Sequence, residues 1–126
     1  MSRKKSYKIL VAEDEPALQQ SLGDKIKREG WQYIPALNGK EGLAKINKVK
    51  PDLVLLDLRM PEMGGLEMLQ EVRKIYNKKE LPVIILTNYS EGENISQSLE
   101  LGADVFLVKA NYSLEEIGEK IKEILK

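Results

Sequence analysis

The sequence predicts an α/β fold, with five parallel strands in one sheet and helices packed on both faces. Two observations carry this. Five short apolar runs, Lys8–Ala12, Gln32–Ala36, Leu53–Leu56, Pro82–Leu86 and Val105–Val108, recur along the 126 residues. Four of them are nearly unbroken Ile, Leu and Val, as strands buried on both faces are. Between and after the runs lie helix-length segments whose apolar residues recur at three or four positions.

Each segment carries its own signals. After the first run, Leu18, Leu22 and Ile26 repeat every fourth residue, Pro16 suits a first helical turn with Asp14 or Glu15 as cap, and Gly30 suits its end. The second run, Gln-Tyr-Ile-Pro-Ala, is the most polar and contains Pro35, which suits an edge strand. Asn38 with Glu41 is a loose capping pattern for the next helix. Leu66, Leu69, Val72 and Ile75 mark the third helix, and Ile95 with Leu99 weakly marks the fourth, which Gly102 ends. Ser90 with Glu93 and Ser113 with Glu116 are capping boxes, and Leu114, Ile117, Ile121 and Ile124 form the last stripe.

Strand and helix thus alternate five times. That implies a doubly wound parallel sheet with right-handed crossovers, and order 2-1-3-4-5, the flavodoxin-like (βα)5 sandwich, is the natural arrangement. The fifth run is then an edge as well, yet strongly apolar, which fits burial by a partner. Residues 1–126 read as one domain without a linker or output domain.

Composition narrows the chemistry. There is no cysteine and no histidine, which removes disulfides, thiolate or imidazole metal sites and histidine-based catalysis. Lys+Arg and Asp+Glu both number 20, so the basic excess typical of nucleic-acid binders is missing, and no direct nucleic-acid partner is expected. No run approaches the ~20 apolar residues of a membrane span. The basic start lacks a long apolar stretch behind it, since Glu13 and Asp14 interrupt, so the expected location is cytoplasmic, without membrane insertion.

Ligands of open parallel sheets bind beyond the carboxyl ends of the strands, near the reversal of strand order. The first strand ends in Glu13-Asp14, the third in Asp57, the fourth in Thr87 and the fifth in Lys109. Three carboxylates, a hydroxyl and an ammonium therefore converge. Oxygen donors of that kind favour a hard cation such as Mg²⁺. With it and Lys109 the group sums to about zero charge, and phosphorylating Asp57 would shift the balance towards negative. This is the makeup of a phosphoryl switch. Taken singly, each residue has a plainer reading: Asp57 as a loop cap, Asp14 as a helix cap, Thr87 as a β-former, Lys109 as a solvated charge and Phe106 as packing.

Together these residues resemble the receiver domain of two-component response regulators, of the single-domain chemotaxis-regulator type. The resemblance rests on Glu13-Asp14, the run Asp52-Leu-Val-Leu-Leu-Asp57, Met60-Pro61-Glu-Met-Gly-Gly65, Leu86-Thr87, Gly102-Ala103-Asp104, Phe106 and Lys109, in order along the chain. It implies that Asp57 is the phosphoacceptor. It also implies that Asp14, Asp57 and the backbone carbonyl of Arg59 ligate Mg²⁺ (Mn²⁺ as alternative), with Glu13 acting through water. Lys109 would pair with the acyl phosphate. Thr87 would turn to a phosphoryl oxygen and let Phe106 rotate inward, altering the surface of the fourth helix, fifth strand and final helix. The implied partners are a histidine kinase or phosphotransfer protein and a downstream protein target, and the chain is a signalling switch rather than an enzyme.

Some positions depart from the family pattern. Ala110 stands where proline usually follows the lysine, so either a trans bond with a reshaped 109–112 loop or a strained bond is expected, a cis bond there costing ~3 kcal/mol. Asn88 is larger than the usual small residue and narrows donor access. Arg59 and Tyr89 flank the route of hydrolytic water and favour slower hydrolysis. Phe106 lacks the common tyrosine hydroxyl. These departures sustain one alternative, a pseudo-receiver that binds a protein without phosphorylation. A haloacid dehalogenase-like phosphatase would need an acid at Arg59, and a P-loop nucleotidase would need a glycine-lysine motif that the chain lacks.

Overall fold

The structure, a computed structural model, describes residues 6–88 and 92–126. Ser90, of the expected capping pair Ser90–Glu93, lies outside them. Five strands alternate with five helices: β1 (Lys8–Ala12), α1 (Pro16–Arg28), β2 (Gln32–Ala36), α2 (Gly39–Val49), β3 (Leu53–Leu56), α3 (Gly65–Ile75), β4 (Val83–Thr87), α4 (Gly92–Glu100), β5 (Val105–Val108) and α5 (Leu114–Leu125). The strands form one parallel sheet in the order β2-β1-β3-β4-β5. β4 starts one residue later than the apolar run, because Pro82 has no N–H for the ladder and only its carbonyl accepts, from Val54 N–H at 3.0 Å.

Two apolar layers clasp the sheet. One joins Leu10, Val54, Leu56, Val83 and Ile85 to Ile46, Met68, Leu69 and Val72 of α2 and α3. The other joins Ile9, Val11, Leu53, Leu55, Ile84, Leu86 and Leu107 to Leu22, Ile26, Ile117 and Ile121 of α1 and α5. Alternate strand residues serve opposite layers, so β1, β3 and β4 must be apolar throughout.

Helix ends follow the expected chemistry. Gly30 and Gly102 take positive φ (87° and 103°) after α1 and α4. Trp31 and Ala103 N–H then donate to Ile26 and Ser98 carbonyls at 3.2 and 3.0 Å, which closes both helices. Ser113 and Glu116 form the full capping box of α5. Asn38 caps α2 through Glu41 N–H, while Glu41 reaches Leu37 N–H. At α1 the cap position is Glu15, without a side-chain bond, and Asp14 is not the cap.

Two stripes run differently from the sequence reading. Ile75 is 59% exposed, and α3 buries Met68, Leu69 and Val72 instead. Steps of three fall about 60° short of a turn each time, so Ile75 ends opposite Leu66. In α4, Leu99 is 46% exposed while Ser98 is fully buried. The edge strand β5 buries only Leu107 and leaves Val105, Phe106 and Val108 half-buried. All peptide bonds among the described residues are trans, and Lys109–Asn111 forms a single 3₁₀ turn. Of the two expectations for Lys109–Ala110, the trans bond is the one the chain adopts.

Ile84→Ala, at a fully buried site in β4, is expected to cost about 3 kcal/mol in urea unfolding. Ile75→Ala, at the exposed end of α3, should stay within about 0.5 kcal/mol. Equal costs would contradict the α3 facing described above.

Candidate functional site

The sheet register delivers the acidic residues together. Ala12 lies beside Leu56 and Ala36 at the carboxyl end of β1. Glu13 N–H donates to Ala36 O and Asp57 N–H to Ala12 O, both at 3.0 Å. The residues that follow β1 and β3 therefore leave the sheet side by side. Gly65, at the start of α3, allows a close approach: a Cβ there would collide with the Asp57 carbonyl, and Gly65 N–H instead donates to Leu58 O at 2.9 Å.

Glu13, Asp14 and Asp57 bring carboxylate oxygens within 4.8 Å of one another. Glu13 and Asp57 are buried (3% and 6% exposed), whereas Asp14 is exposed. Lys109 Nζ bridges the buried two, 2.8 Å from Glu13 Oε1 and 3.2 Å from Asp57 Oδ2, with Glu15 Oε1 at 4.0 Å. Glu13 Oε2 accepts Glu15 N–H at 3.0 Å. A cleft of ≈ 260 Å³ opens here, lined by Glu13, Asp14, Glu15, Asp57, Arg59, Asn88 and Lys109.

Burial pushes the Glu13 carboxyl above the usual carboxylate range. The Lys109 ammonium and the Glu15 N–H oppose this, and the charge of Asp57 adds to it. Burial pulls Lys109 down, but Glu13 and Asp57 outweigh it and hold the ammonium above the usual lysine range. The two partners thus shift the same way: Lys109 is held charged, while burial together with Asp57 outweighs the ammonium at Glu13. Such a pair holds geometry more than it adds stability.

Asp57 Oδ1 is buried and accepts no hydrogen bond among the described residues. A buried carboxylate oxygen is costly without a partner. A hard cation among the three carboxylates would supply one, so the donor set fits Mg²⁺.

The other expected residues fall as follows. Thr87 is fully buried at the end of β4, in register with Val108, one residue before Lys109. Phe106 is half-buried on β5 beside Ile85 and packs on the α2–α3 layer. Arg59 and Asn88 are exposed at the cleft. Tyr89 lies outside the described residues. Gln19 was not among the expected residues, yet its buried amide donates to the Glu13 carbonyl at 2.8 Å. Its sequence signal is a lone glutamine on the apolar face of α1, three before Leu22 and seven before Ile26.

The family pattern of the response regulator receiver domain matches residues 9–122. This chain belongs to the response regulator receiver family. It is similar to sporulation initiation phosphotransferase F of Bacillus subtilis, 36% identical over 118 residues, covering 94% of this chain and 93% of that protein. It is 35% identical over 119 residues to the alkaline phosphatase synthesis transcriptional regulatory protein PhoP of the same species, again over 94% of this chain. There it covers 48% of the relative, so the receiver spans about half the length of that regulator. Among solved structures, a CheY-like response regulator receiver domain protein from Methanospirillum hungatei superposes with TM-score 0.89 at 33% identity, over 96% of this chain and 94% of that one. A DNA-binding response regulator of the LuxR family from Staphylococcus aureus matches with TM-score 0.87 at 30% identity, over 95% and 99%. The receiver fold and its place in two-component signalling follow. No helix among the described residues is long and apolar enough to cross a membrane.

Lys109→Met leaves two buried carboxylates without their cation. It should lower unfolding stability in Mg²⁺-free buffer by about 3 kcal/mol, and millimolar Mg²⁺ should restore part of the loss. An unchanged urea midpoint would show that Lys109 does not hold the acidic pair.

Proposed function

We propose that this receiver accepts a phosphoryl group on Asp57 from a histidine kinase or phosphotransfer protein and signals through protein contact or onward relay. The observation that carries this is the Lys109 ammonium, 3.2 Å from Asp57, in an acidic cluster where Asp57 Oδ1 has no partner. A carboxylate nucleophile, a poised cation and an unmet demand for a second cation are the parts phosphoryl transfer to an aspartate uses.

In the transfer, an Asp57 carboxylate oxygen forms the new O–P bond as the donor's P–N bond breaks, and the electron pair leaves with the donor imidazole nitrogen. Asp14, Asp57 and the Arg59 backbone carbonyl would hold Mg²⁺, with Glu13 acting through water; Mn²⁺ is the alternative. When bound, the ion neutralises charge building on the phosphoryl oxygens. Lys109 moves from its shared position to the acyl phosphate. The Thr87 hydroxyl then takes a phosphoryl oxygen, and the half-buried ring of Phe106 turns inward, changing the α4–β5–α5 surface. Exposed Asn88 narrows the cleft to donors, and exposed Arg59 slows hydrolysis, a role also assigned to Tyr89. The relative that this chain nearly spans is named a phosphotransferase, which supports relay. The reading is of a cytoplasmic switch that assists its own phosphorylation and dephosphorylation, not of an enzyme acting on other substrates.

Intact mass after incubation with phosphoramidate or a phosphorylated kinase should rise by one phosphoryl group in wild type with Mg²⁺. It should not rise in chelator or in Asp57→Asn. Labelling of Asp57→Asn to the same stoichiometry would displace Asp57 as acceptor, and no labelling of wild type by either donor would favour the phosphorylation-independent binding module.

A further inference from the structure

We propose that Gln19 is a positioning residue for the cation site: its amide fixes the Glu13–Asp14 turn and thereby the place of the Asp14 carboxylate. Gln19 projects from α1 and is 6% exposed. Its Nε2 lies 2.8 Å from Glu13 O, 3.1 Å from Ala36 O and 3.2 Å from Val11 O. A primary amide has two N–H hydrogens, so at least one is shared among these three carbonyls. Ala36 O also accepts Glu13 N–H. The Glu13 backbone is therefore held at both ends, through its N–H by β2 and through its carbonyl by Gln19.

The amide has only one workable orientation. Tyr33 Oη, on the edge strand β2, donates to Gln19 Oε1 and lies 3.1 Å from the Gln19 carbonyl. A flipped amide would set its oxygen against three carbonyl oxygens and its N–H₂ against the tyrosine hydroxyl. Gly23 gives the Tyr33 ring its space, since a Cβ there would lie 2.5 Å from it. Tyr33, Gln19 and the Glu13 carbonyl thus form a chain from the sheet edge to the turn that carries Asp14. Beyond Ala12, β1 has no further ladder pairing with β2 or β3. Asp14 is exposed, so its direction depends on the peptide that Gln19 holds. Groups that hydrogen-bond a ligating side chain shift metal affinity by about ten- to a hundredfold when removed, and Gln19, which acts through the preceding peptide, belongs at the lower end of that scale.

This inference rests on the metal reading above, and the test separates the two. Mg²⁺ affinity would be measured by calorimetric titration with MgCl₂, well below the melting temperature. The proteins are wild type, Gln19→Met, Tyr33→Phe and Leu22→Ala, the last a core variant on the same helix. Gln19→Met should bind Mg²⁺ about tenfold more weakly. Tyr33→Phe should show a smaller loss in the same direction, and Leu22→Ala should keep wild-type affinity despite its lower stability. Wild-type affinity in folded Gln19→Met, or an equal loss in Leu22→Ala, overturns the positioning role alone. Should Gln19→Met not fold, unchanged affinity in Tyr33→Phe overturns it. Failure of wild type to bind Mg²⁺ overturns the metal reading, and the inference with it.

Discussion

Three carboxylates crowd the carboxyl ends of β1 and β3, and the ammonium of Lys109 spans the two that are buried. Glu13 is held at 2.8 Å and Asp57 at 3.2 Å. Without that cation, the site would bury adjacent negative charges with nothing opposite them, which is among the costlier arrangements a small domain can carry. The rest of the fold is arranged to make the contact. β1 and β3 lie side by side in the sheet, β4 intervenes before β5, and Lys109 follows the last residue of β5. The apolar layers above and below keep these strands in register and so keep the charges apart from bulk water.

The contact is also unfinished. Lys109 satisfies one oxygen of Asp57 and leaves Oδ1 without a partner. Asp14 stands exposed beside it. On the proposed reading, a new phosphoryl group on Asp57 would compete with Glu13 for the same Lys109, and that competition would be the physical basis of a switch.

Much of this was legible in the chain. Five apolar runs name the sheet, and the four that lead into Glu13-Asp14, Asp57, Thr87 and Lys109 name the convergence point, because strand ends are marked by the abrupt change from Ile, Leu and Val to polar residues. The trans bond after Lys109 is one of the two outcomes that Ala110 allows. Other features were not legible, for identifiable reasons. Helical facing differs from the apolar spacing at Ile75, where three-residue steps drift off one face, and at Leu99, where Ser98 takes the buried place. Gln19 shows in the sequence only as a polar residue on an apolar helix face, because the backbone carbonyls it bonds carry no residue-type signal. The close pass of Gly65 against Asp57 was visible only as a glycine in a motif.

The account is tested most directly by a crystal structure of the chain with Mg²⁺ and beryllofluoride, a mimic of the phosphoryl group. The expected result is beryllofluoride on Asp57, Mg²⁺ held by Asp14, Asp57 and the Arg59 carbonyl, and Lys109 Nζ moved from Glu13 to a fluoride. Lys109 still bridging Glu13 and an unmodified Asp57, with no ion among the three carboxylates, would contradict it.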